Sequence, residues 1–287
     1  MSDDTNKDQA LSADDLASVL HGLASSPGRR ITSINVSGRR VWIKRFDIEP
    51  LAFAKRLHWL VSPVLFPVFL RGSKPALGEA GVERECSKMA AFQAAGFQTP
   101  DVIYRSGATL ILSDVSPVLT EQLAGASEQE RRELLPVLFA ALGRIHGAGL
   151  VHGRPHLRDI SIREGKTFFF DFEEAPETTM PLADAQARDL WLVMLPVVAA
   201  EPDADQCRLF LRAWLDIAPV AAILALRRFL GFCRPVLGLA RLVPVSLQGG
   251  DLRRFLGAAR FLVAAISDMD SAIAANGHRA GSQQVKS

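Results

Sequence analysis

The sequence has little cysteine, and its cysteines have no regular spacing. Only three of the 287 residues are cysteines, and Cys86, Cys207 and Cys233 are odd in number and far apart. This pattern argues against a disulfide framework and against a zinc site, whose ligands recur at short intervals. It favours reduced, buried thiols in a cytoplasmic protein.

An excess of charge of one sign is also missing, since the formal net charge is +2 at pH 7. No overall field therefore attracts a polyanion. Arginines are frequent in the C-terminal part of the chain, but neither an aromatic platform nor a helix-turn-helix pattern accompanies them. We therefore expect no nucleic-acid partner.

The chain has no apolar run long enough to span a bilayer. Its most apolar early stretch, residues 58–70, is interrupted by Pro63 and Pro67. Residues 1–9 are polar and acidic, where a secretory signal needs a basic start and an apolar core. We expect a cytoplasmic protein. The basic, apolar segment 51–75 leaves two interpretations open, a buried connecting helix or peripheral contact with the inner face of a membrane.

The chain does contain enough apolar residues for a core, because 48% of it is hydrophobic. Its length suits one large domain or two lobes, and the pattern changes from strands to helices after Ser116-Pro117. We predict an N-terminal tail and helix over residues 1–27, a lobe of sheet and helix over 28–116, a helical lobe over 117–275 and a disordered tail over 276–287.

Hydrophobic periodicity and turn residues predict the elements within these segments. In the first half we expect a helix over 11–23, a β-hairpin of 31–36 with 39–46, a helix over 79–95 and a second hairpin of 102–104 with 109–112. In the second half we expect helices over 128–147, 183–195, 206–215, 220–232 and 251–275, and a hairpin of 160–162 with 167–170.

Lys44 is the first candidate functional residue. On its strand Trp42, Lys44 and Phe46 share one face, so the lysine has bulky apolar neighbours. Two interpretations remain open: a lysine whose stem is buried and whose ammonium reaches solvent, or a lysine held in a cleft to bind phosphate.

Two carboxylates at the ends of the later hairpin form the second candidate. Asp159 precedes its first strand and Asp171 follows its second strand, so the two side chains should converge. Mg²⁺ takes hard oxygen ligands in octahedral geometry, and one bound to nucleotide phosphates would use such a pair. We therefore take this hairpin as the candidate active site.

In this order of elements the chain resembles the protein-kinase-like superfamily, and most closely its small bacterial branch of lipopolysaccharide kinases and RIO-type atypical kinases. The resemblance covers residues 30–200. Val41-Trp42-Ile43-Lys44 is similar to the family's V-A-I-K strand, His152-Gly153-Arg154 with Asp159 to its H-G/R-D-x-x-x-x-N loop, and Asp171-Phe172-Glu173 to its D-F-G. The implied fold is α+β and two-lobed, with a small antiparallel-sheet N-lobe and a mostly helical C-lobe.

The resemblance implies a site that binds ATP and Mg²⁺. Lys44 would contact the nucleotide phosphates, with Glu85, rather than Glu83, as its partner, and Asp171 and Asp159 would hold the metal. An aspartate at position 189 would hold the catalytic loop, although a simple charge at a helix N-terminus is the other interpretation.

Three features depart from the family pattern. Arg154 replaces the aspartate that acts as the base, and Asp159 replaces an asparagine. Because arginine cannot lose its proton, Arg154 can only stabilise the phosphoryl group, and His156 on the same loop is the substitute base, or else a surface histidine. No G-x-G-x-x-G precedes Val41, so the nucleotide lid is weak.

The sequence therefore supports two hypotheses. In the first, the protein is a phosphotransferase acting on a hydroxyl of a sugar, a lipid-linked glycan or a protein, with Arg154, His156 and Asp159 as catalytic residues. In the second, it is a pseudokinase that binds a nucleotide or a partner without catalysis, for which the missing base is the main support.

Overall fold

The structure is a computed structural model. It describes residues 13–26, 28–48, 73, 76–201, 203–240 and 249–284. The N-terminal tail and, apart from Ser73, the segment 51–75 lie outside the described residues, and so does the membrane contact predicted for that segment.

The first part of the chain is a small sheet with two helices. Its elements are α1 (Ala13–Ser25), β1 (Ile31–Val36), β2 (Arg39–Arg45), α2 (Gly78–Ala94), β3 (Val102–Ser106) and β4 (Thr109–Ser113). The four strands form an antiparallel sheet in the order β1-β2-β4-β3. Helix α1 packs on β1 through Val19, which shares a small core with Val41 and Ile111.

The second part is mostly helical. It comprises α3 (Leu119–Gly125), α4 (Glu128–Gly147), β5 (Ile160–Arg163), β6 (Lys166–Phe169), α5 (Leu182–Ala200), α6 (Ala204–Leu215), α7 (Val220–Ala240) and α8 (Gly250–Gln284). Helix α4 packs on α6, and α5 packs on α7 and α8. The hairpin β5–β6 lies apart from the four-stranded sheet as its own two-stranded sheet.

One continuous core joins the two parts. The ring of Phe92 on α2 lies 4.6 Å from that of Phe172, which in turn lies 4.9 Å from the ring of His152. Phe92 and Phe172 are completely or almost completely buried. Burial of such large aromatic side chains is strongly favourable, so α2 and the segment after β6 are held against each other.

The predicted α+β class is confirmed, with its small antiparallel sheet and its mostly helical remainder. Sequence periodicity missed α3, a helix of only seven residues. Helix α8 continues to Gln284, whereas we predicted a disordered tail from residue 276. The glycines at 277 and 281 weaken a helix without ending it, and no proline follows them.

Two further expectations concern thiols and membranes. Cys207 and Cys233 are buried free thiols, as predicted, and Cys86 is half-buried. Among the helices of the described residues, none combines the length and the apolar character that crossing a bilayer requires.

Candidate active site

Lys44 lies in the middle of the sheet and points inward. It pairs with Leu110 of β4 across the ladder and lies 5.4 Å from the centre of the Phe46 ring. Only 7% of its side chain is exposed. A lysine with its ammonium in solvent is therefore excluded, and the interpretation of a lysine held in a cleft remains.

The Lys44 ammonium is surrounded by three carboxylates. Its Nζ lies 2.6 Å from Glu85 Oε2, 2.5 Å from Asp171 Oδ1 and 2.8 Å from Glu173 Oε1. The resemblance implied the pairing with Glu85 and gave Asp171 only as a metal ligand, so the contacts of Lys44 with Asp171 and Glu173 were not predicted. Glu83, the less favoured match, is exposed and pairs with Arg105 instead.

The charged groups of this cluster shift one another's pKa values. Burial alone would lower the pKa of Lys44, but Glu85, Asp171 and Glu173 raise it above its usual value. Burial would raise the pKa of Asp171, yet the Lys44 ammonium holds it below the ordinary range. For Glu85, which is completely buried, burial outweighs Lys44 and raises the pKa to about 7.

Asp159 and Asp171 stand at the two ends of the β5–β6 hairpin. The backbone N–H of Phe170 donates to the carbonyl oxygen of Asp159 at 3.1 Å, which brings the two ends together. Asp171 adopts a φ of 68°, a conformation that is uncommon for residues other than glycine and that often marks a functional position. Burial and the nearby Asp171 charge raise the pKa of Asp159 to about 7.

The carboxylates at this end of the cleft suit a divalent cation. One oxygen each from Glu85, Asp171 and Glu173 lie within 4.8 Å of one another. Oδ2 of Asp159 and Oε1 of Glu85 are buried and have no hydrogen-bond partner among the described residues. Mg²⁺ takes such hard oxygen donors and keeps further positions for phosphate and water. The group of three does not include Asp159, the second ligand that the sequence implies, so the fit to this metal depends on Asp171 and on the unpartnered oxygens of Asp159 and Glu85.

Arg154 lies beside these carboxylates. Its Nη2 is 3.8 Å from Asp171 Oδ2, and its Nε is 3.6 Å from Glu174 Oε1. The side chain is 36% exposed, so it reaches from solvent into the site. Gly153 before it has a φ of 110°, and a Cβ there would lie 2.4 Å from the Glu174 carbonyl oxygen, so only glycine fits.

Asp189 anchors the loop that carries Arg154. It is completely buried, and its carboxylate accepts hydrogen bonds from the backbone N–H of His152 at 2.6 Å and of Gly153 at 3.0 Å. Asp189 lies in the second turn of α5, which begins at Leu182, so it does not open the helix as the sequence suggested. The contacts of Asp189 are those of a residue that anchors the loop, and not those of a simple charge at a helix N-terminus.

His152 supports the loop from inside the protein. Its ring is buried between the segments on either side of the hairpin, and its Nε2 lies 3.0 Å from the Phe170 carbonyl oxygen. Burial lowers the pKa of His152 to about 4. The side chain is therefore a neutral packing element at neutral pH.

This buried histidine predicts a dependence of stability on pH. The unfolded chain takes up a proton near pH 6.5, whereas folded His152 does so only near pH 4, so its contribution to stability is complete above pH 6.5 and is lost as the pH falls towards 4. The loss amounts to about 3 kcal/mol. Urea unfolding gives the free energy of unfolding of the wild type and of His152→Gln across this range. The difference between the two proteins should shrink towards pH 4.

The variant comparison is needed because Glu85 and Asp159, with raised pKa values, change stability in the opposite direction over the same range. His21→Gln, at an exposed position on α1, is the matched control, and the difference in free energy of unfolding between it and the wild type should not change with pH. A constant difference for His152→Gln as well would contradict the prediction.

His156 is exposed on the loop, and its Nδ1 accepts a hydrogen bond from the Arg158 backbone N–H at 3.2 Å. In the neutral ring this bond assigns the proton to Nε2, so the remaining lone pair faces the loop's own backbone. Burial, Arg158 and Arg154 lower the pKa of His156. The structure thus gives His156 a capping contact, and its role as a base stays a prediction.

Two basic residues of α2 were missed by the sequence. Lys88 Nζ donates to the carbonyl oxygens of His152 at 3.0 Å and Glu174 at 2.9 Å, and Arg84 donates to that of Glu173 at 3.1 Å. Arg84 and Lys88 are four residues apart and therefore share a helix face. That spacing, next to Glu85, was the available signal.

The amino-acid sequence was compared with family models and with known proteins. No family model matches the sequence. The chain is 28% identical over 128 residues to an uncharacterized protein of Haemophilus influenzae. The match covers 44% of this chain and 52% of that protein, so the chain spans about half the length of this curated relative.

Among solved structures, similarity in fold is found at low sequence identity. WaaP in complex with acyl carrier protein is 14% identical, with 75% of this chain and 83% of that chain covered and a TM-score of 0.45. The ADP-bound aminoglycoside phosphotransferase APH(2'')-Ib is 12% identical, with 87% and 99% covered and a TM-score of 0.39. The Rio2 kinase complex with ADP, Mg²⁺ and phosphoaspartate from Chaetomium thermophilum is 17% identical, with 90% and 76% covered and a TM-score of 0.34. With all three TM-scores below 0.5, the function proposed next rests on the geometry of the site.

Proposed function

We propose that the protein is an ATP- and Mg²⁺-dependent phosphotransferase of the kinase-like type, acting on a hydroxyl of a sugar, a lipid-linked glycan or a protein. The observation that carries the proposal is the position of the Lys44 ammonium between Glu85 of α2 and Asp171 after β6. A buried lysine oriented by one carboxylate and set beside a second is an arrangement suited to nucleotide phosphates and their metal.

Each residue has a role in this proposal. Lys44 binds the nucleotide phosphates, and Glu85 orients it. Asp171 and Asp159 hold Mg²⁺, which when bound neutralises charge on the phosphate oxygens. Asp189 and His152 fix the loop so that Arg154 reaches the phosphoryl group.

The reaction joins the acceptor oxygen to the γ-phosphorus and breaks the bond from that phosphorus to the bridging oxygen, which leaves on ADP with the electron pair. Arg154 stabilises the charge on the equatorial oxygens through its planar pair of N–H donors. It cannot take the acceptor's proton, which passes to water or to His156, the base predicted from the sequence. Such transfers depend mainly on positioning and electrostatics, so a strong base is dispensable.

The second candidate is a pseudokinase. Its support is the same guanidinium, because Arg154 stands 3.8 Å from Asp171 Oδ2 and competes there with a metal ion. In this case the protein binds Mg²⁺-ATP and gains thermal stability without transferring phosphate.

Arg154 separates the two candidates. For a phosphotransferase, Arg154→Ala is expected to lower kcat by about 100-fold or more, with a smaller change in KM for ATP, because the guanidinium acts on the transferring group. Transfer is measured as release of ADP and as labelled acceptor in a mixture of glycans, lipids and proteins. Arg163→Ala, at an exposed arginine at the turn end of β5, is the matched control and should leave transfer unchanged.

Arg154→Asp gives the opposite test. It restores a carboxylate at the position of the base and removes the competing cation. Phosphate transfer that appears only in this variant would favour the pseudokinase, whereas a loss of transfer supports the proposed role. A wild-type protein that neither binds nor turns over nucleotide contradicts both candidates.

The acceptor, the cytoplasmic location and the contact with a membrane surface remain predictions from the sequence. One basis of the predicted membrane contact, the basic segment 51–75, lies outside the described residues apart from Ser73.

A further inference from the structure

The edge of the cleft above Lys44 contains a second cation that no sequence pattern predicted. Arg30 precedes β1, and its carbonyl oxygen accepts a hydrogen bond from the Arg45 backbone N–H at 2.8 Å. This bond extends the β1–β2 ladder by one residue beyond the Ile31–Lys44 pair. The sheet therefore fixes the backbone of Arg30 next to that of the central lysine.

The side chains of Arg30 and Lys44 meet at one atom. Arg30 Nη2 forms an ion pair with Oε1 of Glu173, and Lys44 Nζ lies 2.8 Å from the same oxygen. Both cations also lie over the ring of Phe46, at 5.8 Å for Arg30 and 5.4 Å for Lys44. Arg30 and Lys44 therefore hold one anionic oxygen, Oε1 of Glu173, between them.

We propose that Arg30 is a second phosphate-binding residue, which takes the place of the missing glycine-rich lid. The proposal rests on the proposed function, since it assigns Arg30 to the nucleotide of that site. A glycine-rich loop binds phosphate through backbone N–H groups, whereas here the chain before β1 is helix α1 followed by a short turn. A guanidinium at the start of β1 supplies comparable donors from a side chain.

The chemistry of the Glu173 contact matches that of a phosphate. Carboxylates and phosphates both offer paired anionic oxygens to the planar fork of arginine. The Arg30 side chain is 24% exposed and that of Glu173 19%, so a ligand can approach from the open side of the cleft. The nucleotide's phosphate replaces Glu173 at Arg30 and keeps Lys44 as its second partner.

The test compares a charged ligand with an uncharged one. Binding of ATP and of adenosine is measured by equilibrium dialysis for the wild type, Arg30→Ala, Arg30→Lys and Arg29→Ala. Arg29 is the matched control because it is the neighbouring arginine and is exposed. Arg30→Ala is expected to weaken ATP binding by about 10-fold to 100-fold, as the loss of a charge-assisted hydrogen bond to phosphate implies, and to leave adenosine binding unchanged. Arg30→Lys should recover part of the loss, and Arg29→Ala should resemble the wild type.

Other outcomes overturn the proposal. If Arg30→Ala binds ATP as tightly as the wild type, Arg30 does not contact phosphate. If the variant loses ATP and adenosine equally, or melts at a much lower temperature, the ion pair with Glu173 is only a structural bridge. A wild-type protein that binds neither ligand contradicts the proposed function itself, which is a separate result.

Discussion

Asp171→Ala is expected to abolish Mg²⁺-dependent turnover of ATP, with a loss of at least about 100-fold in kcat. The substitution removes one carboxylate from the proposed metal site and also a partner of the Lys44 ammonium, at 2.5 Å. Without it, Lys44 and Arg154 lose the charge that lies between them, and phosphate and metal are no longer aligned. Release of ADP with a coupled assay measures the effect.

The controls separate metal binding from folding. Asp171→Asn keeps the shape and one oxygen ligand but removes the charge, so it should retain the fold and still lose most of the activity. Asp205→Ala, at an exposed carboxylate on α6, should leave turnover unchanged. Full activity in Asp171→Ala would exclude this site as the centre of the reaction.

Asp189→Ala is expected to lower the free energy of unfolding by about 3 kcal/mol. The carboxylate is completely buried and satisfies the backbone N–H groups of His152 and Gly153. Alanine leaves both donors buried without a partner, and the loop that presents Arg154 loses its fixed position. Urea unfolding measures the stability, and kcat should fall even at temperatures where the variant is folded.

A matched control lies on the same helix. Asp184 also carries a largely buried carboxylate, but its partner Arg228 is 62% exposed, so Asp184→Ala should cost only up to about 1 kcal/mol. Equal losses for the two variants would mean that Asp189 acts as an ordinary helix residue and not as the anchor of the loop.

The elements of the fold were largely predictable because their periodicity is strong. The helix over 128–147 and the strands that carry Lys44 and precede Asp171 have the bounds, within a residue or two, that their apolar spacing indicated. The pairing of Lys44 with Glu85 followed from the resemblance to a known family. The strand pattern alone left open whether the lysine's ammonium reaches solvent or lies in a cleft. The end of α8 was missed because glycine within a helix costs only about 1 kcal/mol.

The contacts that sequence reasoning missed are those that depend on tertiary placement. Nothing in the local pattern of Arg30 indicates that its side chain reaches Glu173, more than a hundred residues away. The same holds for the hydrogen bonds of Lys88 to carbonyl oxygens of two separate loops. Such contacts depend on how the two lobes pack against each other. The periodicity of a single segment carries no information on that packing.

The bonds from Arg84 and Lys88 to the backbone of residues 152–174 have a consequence for movement of α2. An outward movement of α2 would part Glu85 from Lys44. That movement must also break three side-chain hydrogen bonds to main-chain carbonyls, one of them to Glu173, two residues after Asp171. Helix α2 and the backbone of residues 152–174 are therefore tied together, and moving Glu85 away from Lys44 would cost these hydrogen bonds as well.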